Sequence, residues 1–187
     1  MKQTTRVGQM PRTLNRIIAV AVLAILLATV GKPAQASPLN LNLQSAPDMF
    51  ADAIEVSYDS ASQSFTASGF AEHINNGTDS PTPIVKGLFT IKANISNTGE
   101  FLSGTLTVTG EVPSLGIAPG QLLAGDLSAL GYGDAGGAME YQFNTSGGSL
   151  SFQFGPVINV ILGQSGFNGG FAQNFNNGAI GVAGIGW

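Results

Sequence analysis

The chain contains one histidine, His73, and no cysteine, which limits the catalytic and metal-binding chemistry open to it. A serine hydrolase needs a histidine base beside its serine nucleophile, and the sequence has no G-x-S-x-G nucleophile elbow. A single histidine is also unable to form a site with two His ligands. We therefore interpret His73 as a strand-end or surface residue, and we assign no catalytic residue.

The chain has eleven acidic residues, whose carboxylates could take part in acid–base catalysis or bind calcium. Glycosidases hold two carboxyl groups about 5–10 Å apart, and calcium takes about six to eight oxygen ligands from flexible loops. The acids that lie close in sequence are Asp126, Asp134 and Glu140, around a glycine-rich stretch, and Asp48, Asp52 and Glu55, near residue 50. Asn75, Asn76 and Asp79 offer similar oxygens, but no D-x-[DN]-x-[DN]-G loop occurs. We interpret all of them as solvated residues and assign no metal ligand.

Residues 131–136 (GYGDAG) match the G-x-G-x-x-G pattern of dinucleotide-binding proteins. That fingerprint needs a strand before it and a helix after it, so that the helix N-terminus meets the phosphate. A strand-like segment, residues 139–143, follows instead. The pattern therefore predicts a turn-rich loop, and no cofactor is expected.

Phe167, Phe171 and Phe175 recur every four residues among glycine and asparagine. Exposed rings in this pattern would stack on sugars, whereas buried rings would close the core beneath a glycine-rich loop. We favour the second interpretation. The three threonines of residues 105–109 alternate with apolar residues, which is typical of the solvent face of an antiparallel strand.

The elements that position these residues are mostly strands, because the dominant hydrophobic period is two. The clearest predicted hairpin joins residues 89–95 to residues 102–109, and a second joins 139–143 to 150–154. Residues 157–162 (VINVIL) indicate a strand buried on both faces. We expect residues 37–47 to form either an edge strand or a flexible lead-in. A turn of helix could form at residues 46–54 and at residues 120–130.

About eight short strands joined by Gly/Asn/Ser turns predict an all-β fold, an antiparallel β-sandwich or jelly-roll-like single domain. The length of the body is sufficient to bury a core without disulfides. The predicted core phenylalanines are Phe65, Phe70, Phe89, Phe143, Phe152 and Phe154.

Charge separates a leader from the body of the chain. Five of the seven basic residues lie before residue 37, and all eleven acids lie after it. A basic segment ending at Arg16 precedes an apolar run, residues 17–30, and Ala34-Gln35-Ala36 supplies a small-x-small cleavage site. We expect a secretory signal peptide at residues 1–36, with an uncleaved N-terminal anchor as the alternative, and one exported domain at residues 37–187.

The composition of residues 37–187 excludes several classes of function. Two lysines against eleven acids argue against nucleic-acid binding, which needs a basic surface. The absence of cysteine excludes disulfides, zinc thiolates, iron–sulfur clusters and an N-terminal lipid anchor. No second apolar stretch is long enough for a spanning helix, so we expect no helical membrane anchor in the mature chain.

Four segments follow one another between residues 101 and 182: FLSGTLTVTGEV, GQLLAGDLSALGYGDAGG, MEYQFNTSGGSL and ILGQSGFNGGFAQNF. This order resembles an uncharacterised β-rich domain of exported bacterial proteins, many of which end in a PEP-CTERM sorting tail that tethers them at the cell surface. The sequence ends on AIGVAGIGW, without Pro-Glu-Pro, an apolar span or a basic end. We therefore expect secretion or periplasmic residence, and the resemblance implies no catalytic residue.

We predict a bacterial, exported, glycine-rich acidic domain that acts as a non-enzymatic surface, matrix or binding component. The expected partners are extracellular glycans or other surface proteins. Three alternatives stay open. A carbohydrate-binding module would be favoured by Phe167, Phe171 or Tyr132 exposed in a groove. A small eight-stranded outer-membrane barrel is suggested by the aromatic last residue, Trp187, and a secreted hydrolase would be favoured by exposed paired acids in a deep pocket.

Overall fold

The computed structural model describes residues 37–44, 46–77, 80–133, 135–164, 166–177 and 181–187. The predicted signal peptide lies outside the described residues, as do Asp79 and Asp134. The described strands are β1 (Asp48–Asp59), β2 (Ser64–Asn75), β3 (Thr82–Pro83), β4 (Val85–Ile95), β5 (Phe101–Val112), β6 (Ile117–Tyr132), β7 (Met139–Gly147), β8 (Val157–Gly163), β9 (Phe175–Asn176) and β10 (Gly181–Gly186). A 3₁₀ turn (Pro113–Leu115) precedes β6, and one short helix, α1 (Ser151–Phe154), precedes β8.

Eight of these strands form a closed antiparallel barrel. Its order is β1-β2-β4-β5-β6-β7-β8-β10, and β10 pairs with β1, for example through Met49 opposite Ile185. The two-residue strands β3 and β9 pair antiparallel with β2 and β1, respectively. The predicted all-β antiparallel fold is confirmed. Because the first and last long strands pair with each other, the sheet closes into a barrel and does not divide clearly into the two sheets of a sandwich or jelly roll.

Side chains fill the inside of the barrel because strand residues alternate between its two faces. An eight-stranded barrel has an interior about wide enough for packed side chains. Phe65, Phe89, Phe143 and Tyr141 are fully buried there. The predicted hairpin of β4 and β5 is confirmed, with Ile91 opposite Leu106 on the inner face.

The two ends of the barrel are closed differently. At the aromatic end, where β1 and β6 finish, the glycine-rich segment after β8 brings Phe167 and Phe171 against Tyr132, with ring centroids 5.3 and 5.2 Å away. Phe171 also meets Tyr58 edge-on at 4.9 Å. At the helix end, α1 and the preceding Leu150 cover the opening, with Leu150 and Phe154 buried.

Two predicted core residues are wrong. Phe70 is 53% exposed, because it lies an odd number of residues from the inward-facing Phe65 and so faces outward. Phe152 is 80% exposed, because its segment forms the helical turn α1 and not a strand. The partner of β7 in its hairpin is therefore β8.

The predicted helical turns are also wrong. Residues 48–54 belong to β1, and residues 120–130 belong to β6. Strand β6 pairs with β5 on one side and β7 on the other, so its neighbours satisfy its backbone groups and override a weak local helical pattern. Strand β8 alternates buried and half-buried residues, so it is buried on one face only.

Residues 37–44, which we term the strap, lie outside the sheet and against the outer wall of the barrel. Leu39, Leu41 and Leu43 are half-buried, whereas the alternating polar residues between them are exposed. An ideal Cβ on Gly131 would lie 2.6 Å from the Leu39 nitrogen, so the missing side chain makes room for the strap. Of the two alternatives expected for this part of the chain, the edge strand is wrong for residues 37–44.

Candidate functional site

His73 lies on the outer face of β2, where its ring is stacked on Phe50 with centroids 5.3 Å apart. Its neighbour on the other side is Pro83 of β3. The side chain is half-buried between apolar neighbours. This position, two residues before the end of β2 and on its outer face, agrees with the interpretation of His73 as a strand-end or surface residue.

The structure does not bring Asp126 and Glu140 together. Asp126 lies opposite Asn144, and Asn144 is four residues along β7 from Glu140, so the two acids are about 13 Å apart at ~3.3 Å per residue. Glu140 instead accepts hydrogen bonds from the strap, while Asp134 lies outside the described residues. In the part of the chain that the structure describes, no three His, Asp or Glu side chains are grouped closely enough to hold a metal ion.

The other acids and amides are similarly dispersed. Asp48, Asp52 and Glu55 are spread along β1 opposite three different residues of β2. The Asn75 side chain accepts a hydrogen bond from the Gly77 N–H at 3.0 Å, as a turn former does. Gly131 and Tyr132 of the G-x-G-x-x-G segment are the last two residues of β6, and the next described element is the strand β7, where a dinucleotide fingerprint would have a helix.

Two of the three phenylalanines singled out in the sequence are buried, and the third is partly buried. Phe167 and Phe171 are 5% and 1% exposed, and Phe175 packs against the same cluster. The prediction that these rings close the core is confirmed. Tyr132 is buried with them, so none of the three residues that would have favoured a sugar-binding groove at this end is exposed.

Two other aromatic residues are exposed together in a groove at the helix end. Phe152 is 80% exposed and Trp187 is 50% exposed. The groove has a volume of about 390 Å³ and is lined by Phe152, Gln153, Phe154, Gly155, Pro156, Val157 and Trp187. We term it the aromatic groove. Within the described ranges, neither exposed ring contacts another aromatic ring.

The helical turn α1 holds Phe152 outward. Leu150 and Phe154 are buried, and Phe152 lies midway between these two anchors, on the opposite side of the turn. The Ser151 hydroxyl donates to the Gly148 carbonyl at 2.7 Å, and the Gly155 N–H donates to the Ser151 carbonyl at 3.2 Å. The exposed ring is therefore presented by a fixed backbone.

Trp187 is fixed by the last residue of the strap, Gln44, and by Ala46. Its indole N–H donates to the Ala46 carbonyl at 3.2 Å, and its carbonyl oxygen accepts the Gln44 N–H at 3.3 Å. A ring whose polar edge is occupied in this way presents its apolar face to solvent. The groove is not evident from the sequence because its residues come from two segments that are distant in the chain.

A second, polar groove lies on the outer face of the barrel and has a volume of about 670 Å³. We term it the polar groove. Register places Thr66, Lys92, Thr105 and Asp126 in one row across β2, β4, β5 and β6. The further lining residues are Ser64, Phe65, Ala93, Asn94, Leu102, Ser103, Gly104 and Leu127.

The fold and these grooves define an antiparallel eight-stranded barrel with a filled interior and ligand-sized depressions on its surface. Comparison of the chain with protein-family models, with curated proteins and with solved structures gives no match. Within the described ranges, no helix has both the length and the apolar character that crossing a membrane requires.

Proposed function

We propose that the chain is an exported, non-enzymatic binding component and that the aromatic groove contacts its ligand. The observation that carries this proposal is the exposure of Phe152 and Trp187 in one groove of a barrel whose interior is already filled. Large aromatic side chains are normally buried, and exposed ones that line a common groove mark binding surfaces. Both rings are held by hydrogen-bonded backbone, so little ordering cost accompanies binding.

The ligand that best fits the aromatic groove is a neutral extracellular glycan. One face of a pyranose ring consists of C–H groups, which are attracted to the electron-rich face of an aromatic ring. The Gln153 amide in the same groove offers a donor and an acceptor to sugar hydroxyls. Residues 37–187 carry two lysines against eleven acids, so their charge opposes polyanionic ligands.

The outer surface of the barrel supports this proposal over an outer-membrane barrel. A membrane barrel turns an apolar band towards lipid and a polar surface inward. Here the inward positions are apolar, and one outer row contains Ser57, Thr66, Lys92, Thr105 and Asp126. The secreted hydrolase has less support, because the polar groove presents one acid, Asp126, and the aromatic groove presents none.

Binding should be measured with the purified protein on insoluble cellulose and chitin, and by affinity electrophoresis in gels containing laminarin or xylan. We expect Phe152→Ala and Trp187→Ala each to weaken binding about tenfold or more, as the loss of an aromatic anchor does. Phe70→Ala is the matched control, because Phe70 is an exposed phenylalanine outside the groove. Absence of binding to all four polysaccharides, or binding unchanged in both groove variants, would overturn the proposal.

Export is tested separately by fractionating the native host, washing the membranes with alkaline carbonate and measuring the intact mass of the protein. A soluble or loosely bound species that begins at Ser37 is expected. A carbonate-resistant species of the same mass in the outer membrane would contradict the proposal and support the membrane barrel. Retention of residues 1–36 would show that the leader is an anchor.

A further inference from the structure

The polar groove contains two charged groups that the fold does not use. The Lys92 ammonium and the Asp126 carboxylate have no ion-pair or hydrogen-bond partner among the described residues. The other lysine of the barrel, Lys86, lies 3.8 Å from Glu111 and is paired with it. Lys92 is therefore an exposed cation available to a ligand in an otherwise acidic domain.

The two charged groups are placed on either side of a hydroxyl. Lys92 lies opposite Thr105, and Thr105 lies opposite Asp126, so the three residues occupy neighbouring strands in one row. Adjacent strands are about 4.8 Å apart, which spaces the ammonium-bearing and carboxylate-bearing strands by about 10 Å. The row therefore presents a hydrogen-bond donor (Lys92), a hydroxyl (Thr105) and an acceptor (Asp126) over a distance comparable to the width of two sugar rings.

Small residues below this row create the depression. Ala93 and Gly104 lie opposite each other one residue further along β4 and β5, and both line the groove. An ideal Cβ on Gly104 would lie 2.9 Å from the Ala93 Cβ. At the edge of the groove, Leu102 is 56% exposed and supplies an apolar contact.

We propose that the polar groove is a second glycan-binding site, which recognises vicinal hydroxyl groups of a neutral saccharide. A carboxylate accepts hydrogen bonds from sugar hydroxyls, an ammonium donates to them, and a threonine hydroxyl does both. Hydrogen bonds that involve a charged partner are the stronger ones. The inference takes its ligand class from the proposed function but rests on a different groove and on different residues.

The surrounding charge selects the neutral ligand. A polyanion would meet one available lysine within a domain of eleven acids, whereas a neutral saccharide is not repelled and finds both hydrogen-bond donors and acceptors in the row. Asn94 and Ser103 extend the row of polar groups along the groove, and the Asn94 amide donates to the Ser103 hydroxyl at 3.0 Å. That bond uses only the amide nitrogen, so the side-chain oxygen of Asn94, Oδ1, is able to accept a hydrogen bond from a ligand.

The test is a titration of the purified protein with cellohexaose, laminarihexaose and xylohexaose, followed by backbone amide NMR. We expect saturable shifts at Thr105 and Asp126 with at least one oligosaccharide. Asp126→Asn and Lys92→Met should each weaken this binding about tenfold or more. Thr105→Val should weaken it about threefold or more, whereas Thr107→Val, on the same strand but outside the groove, should not.

The two sites are separated by repeating the titration in Phe152→Ala. Shifts at Thr105 and Asp126 that persist in this variant and disappear in Asp126→Asn support the polar groove as a site of its own. Binding that depends on Phe152 but is unchanged in Asp126→Asn overturns this inference and leaves the proposed function intact. Absence of saturable shifts at Thr105 and Asp126 with all three oligosaccharides also overturns it. Glu55→Gln controls for the change in net charge.

Discussion

The carboxylate of Glu140 holds the backbone of Asn40 against the outer wall of the barrel. Glu140 Oε2 accepts the Asn40 N–H at 2.9 Å, and Oε1 accepts the next N–H, that of Leu41, at 3.1 Å. In the sheet, Glu140 lies between Gly131 of β6 and Ile161 of β8. One carboxylate thus attaches the strap to the centre of a three-strand surface.

Replacing the carboxylate should release the strap while leaving the barrel folded. Glu140→Gln keeps the shape of the side chain but removes the charge and replaces one acceptor oxygen with a donor, so the two N–H groups are left with a single neutral acceptor oxygen. We expect hydrogen exchange at the Asn40 and Leu41 amides to accelerate about tenfold or more, equivalent to about 1.4 kcal/mol. Exchange measured by NMR on residues 37–187 provides the test.

Glu55→Gln is the matched control for this prediction, because Glu55 is an exposed acid on β1 and the same charge is lost. Equal protection of the strap amides in Glu140→Gln and in the unsubstituted protein would show that the leucines alone hold the strap. Faster exchange throughout the barrel would show that the strap stabilises the whole fold.

Phe65 and Phe70 test how strictly strand alternation determines stability. Phe65 is fully buried, whereas Phe70, five residues later on β2, is 53% exposed. Phe65→Ala should lower the free energy of unfolding by about 3–5 kcal/mol, because it leaves a cavity. Phe70→Ala should change it by less than about 0.5 kcal/mol, as a surface substitution does. Denaturant unfolding of the two variants gives both values, and similar losses would contradict the outward orientation of Phe70.

The contrast between Phe65 and Phe70 also shows which parts of the fold were predictable from the hydrophobic pattern and which were not. The period of two correctly predicted the β4–β5 hairpin, because an uninterrupted alternation determines which face is inside. It was insufficient for Phe70, whose inward assignment rested on residue type and not on its position relative to Phe65. Pairing of β1 with β10 was not predictable from local pattern, because Gly181–Gly186 has few side chains to show a period.

The aromatic groove was less predictable than the fold. Phe152 is apolar and lies in an alternating stretch, so the local pattern indicated a core strand. Only the turn α1, which buries Leu150 and Phe154 on the opposite side, directs it to solvent. Trp187 joins it because of a hydrogen bond to Ala46, 141 residues earlier, and no local signal reports such a contact.

Tyr58 and Tyr141 should make the protein sensitive to alkaline pH. Burial raises the pKa of Tyr58, with a further contribution from the Asp59 carboxylate, and burial raises the pKa of Tyr141 well above 10.0. The unfolded phenol has a pKa of about 10, so the stability due to these shifts is fully present below that pH. It is lost as the pH rises through the folded-state values.

We therefore expect tyrosinate absorbance to appear together with loss of the β-sheet circular dichroism signal as the pH is raised above 10.0. Tyr58→Phe removes one of the two groups together with its hydrogen bond to the Ile95 carbonyl, 2.7 Å long. This variant should be less stable at neutral pH by about 1 kcal/mol and should lose less stability between neutral and alkaline pH. Complete ionisation of all tyrosines with the sheet signal intact would contradict the prediction.

Gly155 determines the direction in which α1 presents Phe152. Its backbone has φ 76° and ψ −163°, a region that essentially only glycine adopts. Nothing lies within 4 Å of an added Cβ, so the cost of Gly155→Ala is conformational and not steric contact with neighbours. We expect this variant to lose about 1–3 kcal/mol of stability, or to reorient α1 in order to relieve the strain.

Either response should weaken binding at the aromatic groove, because Phe152 lies three residues before Gly155. Gly155 also lines the groove, so the added methyl group lies there too, and a loss of stability is what assigns the effect to the backbone. Gly120→Ala is the matched control, since its Cβ also meets nothing within 4 Å and its φ lies outside the left-handed region. Denaturant unfolding and polysaccharide affinity should be measured for both variants. If Gly155→Ala behaves like Gly120→Ala in both measurements, the orientation of Phe152 is not what recognises the ligand. If stability and affinity fall together only in Gly155→Ala, the backbone conformation of Gly155 contributes to both the fold and the binding of the ligand.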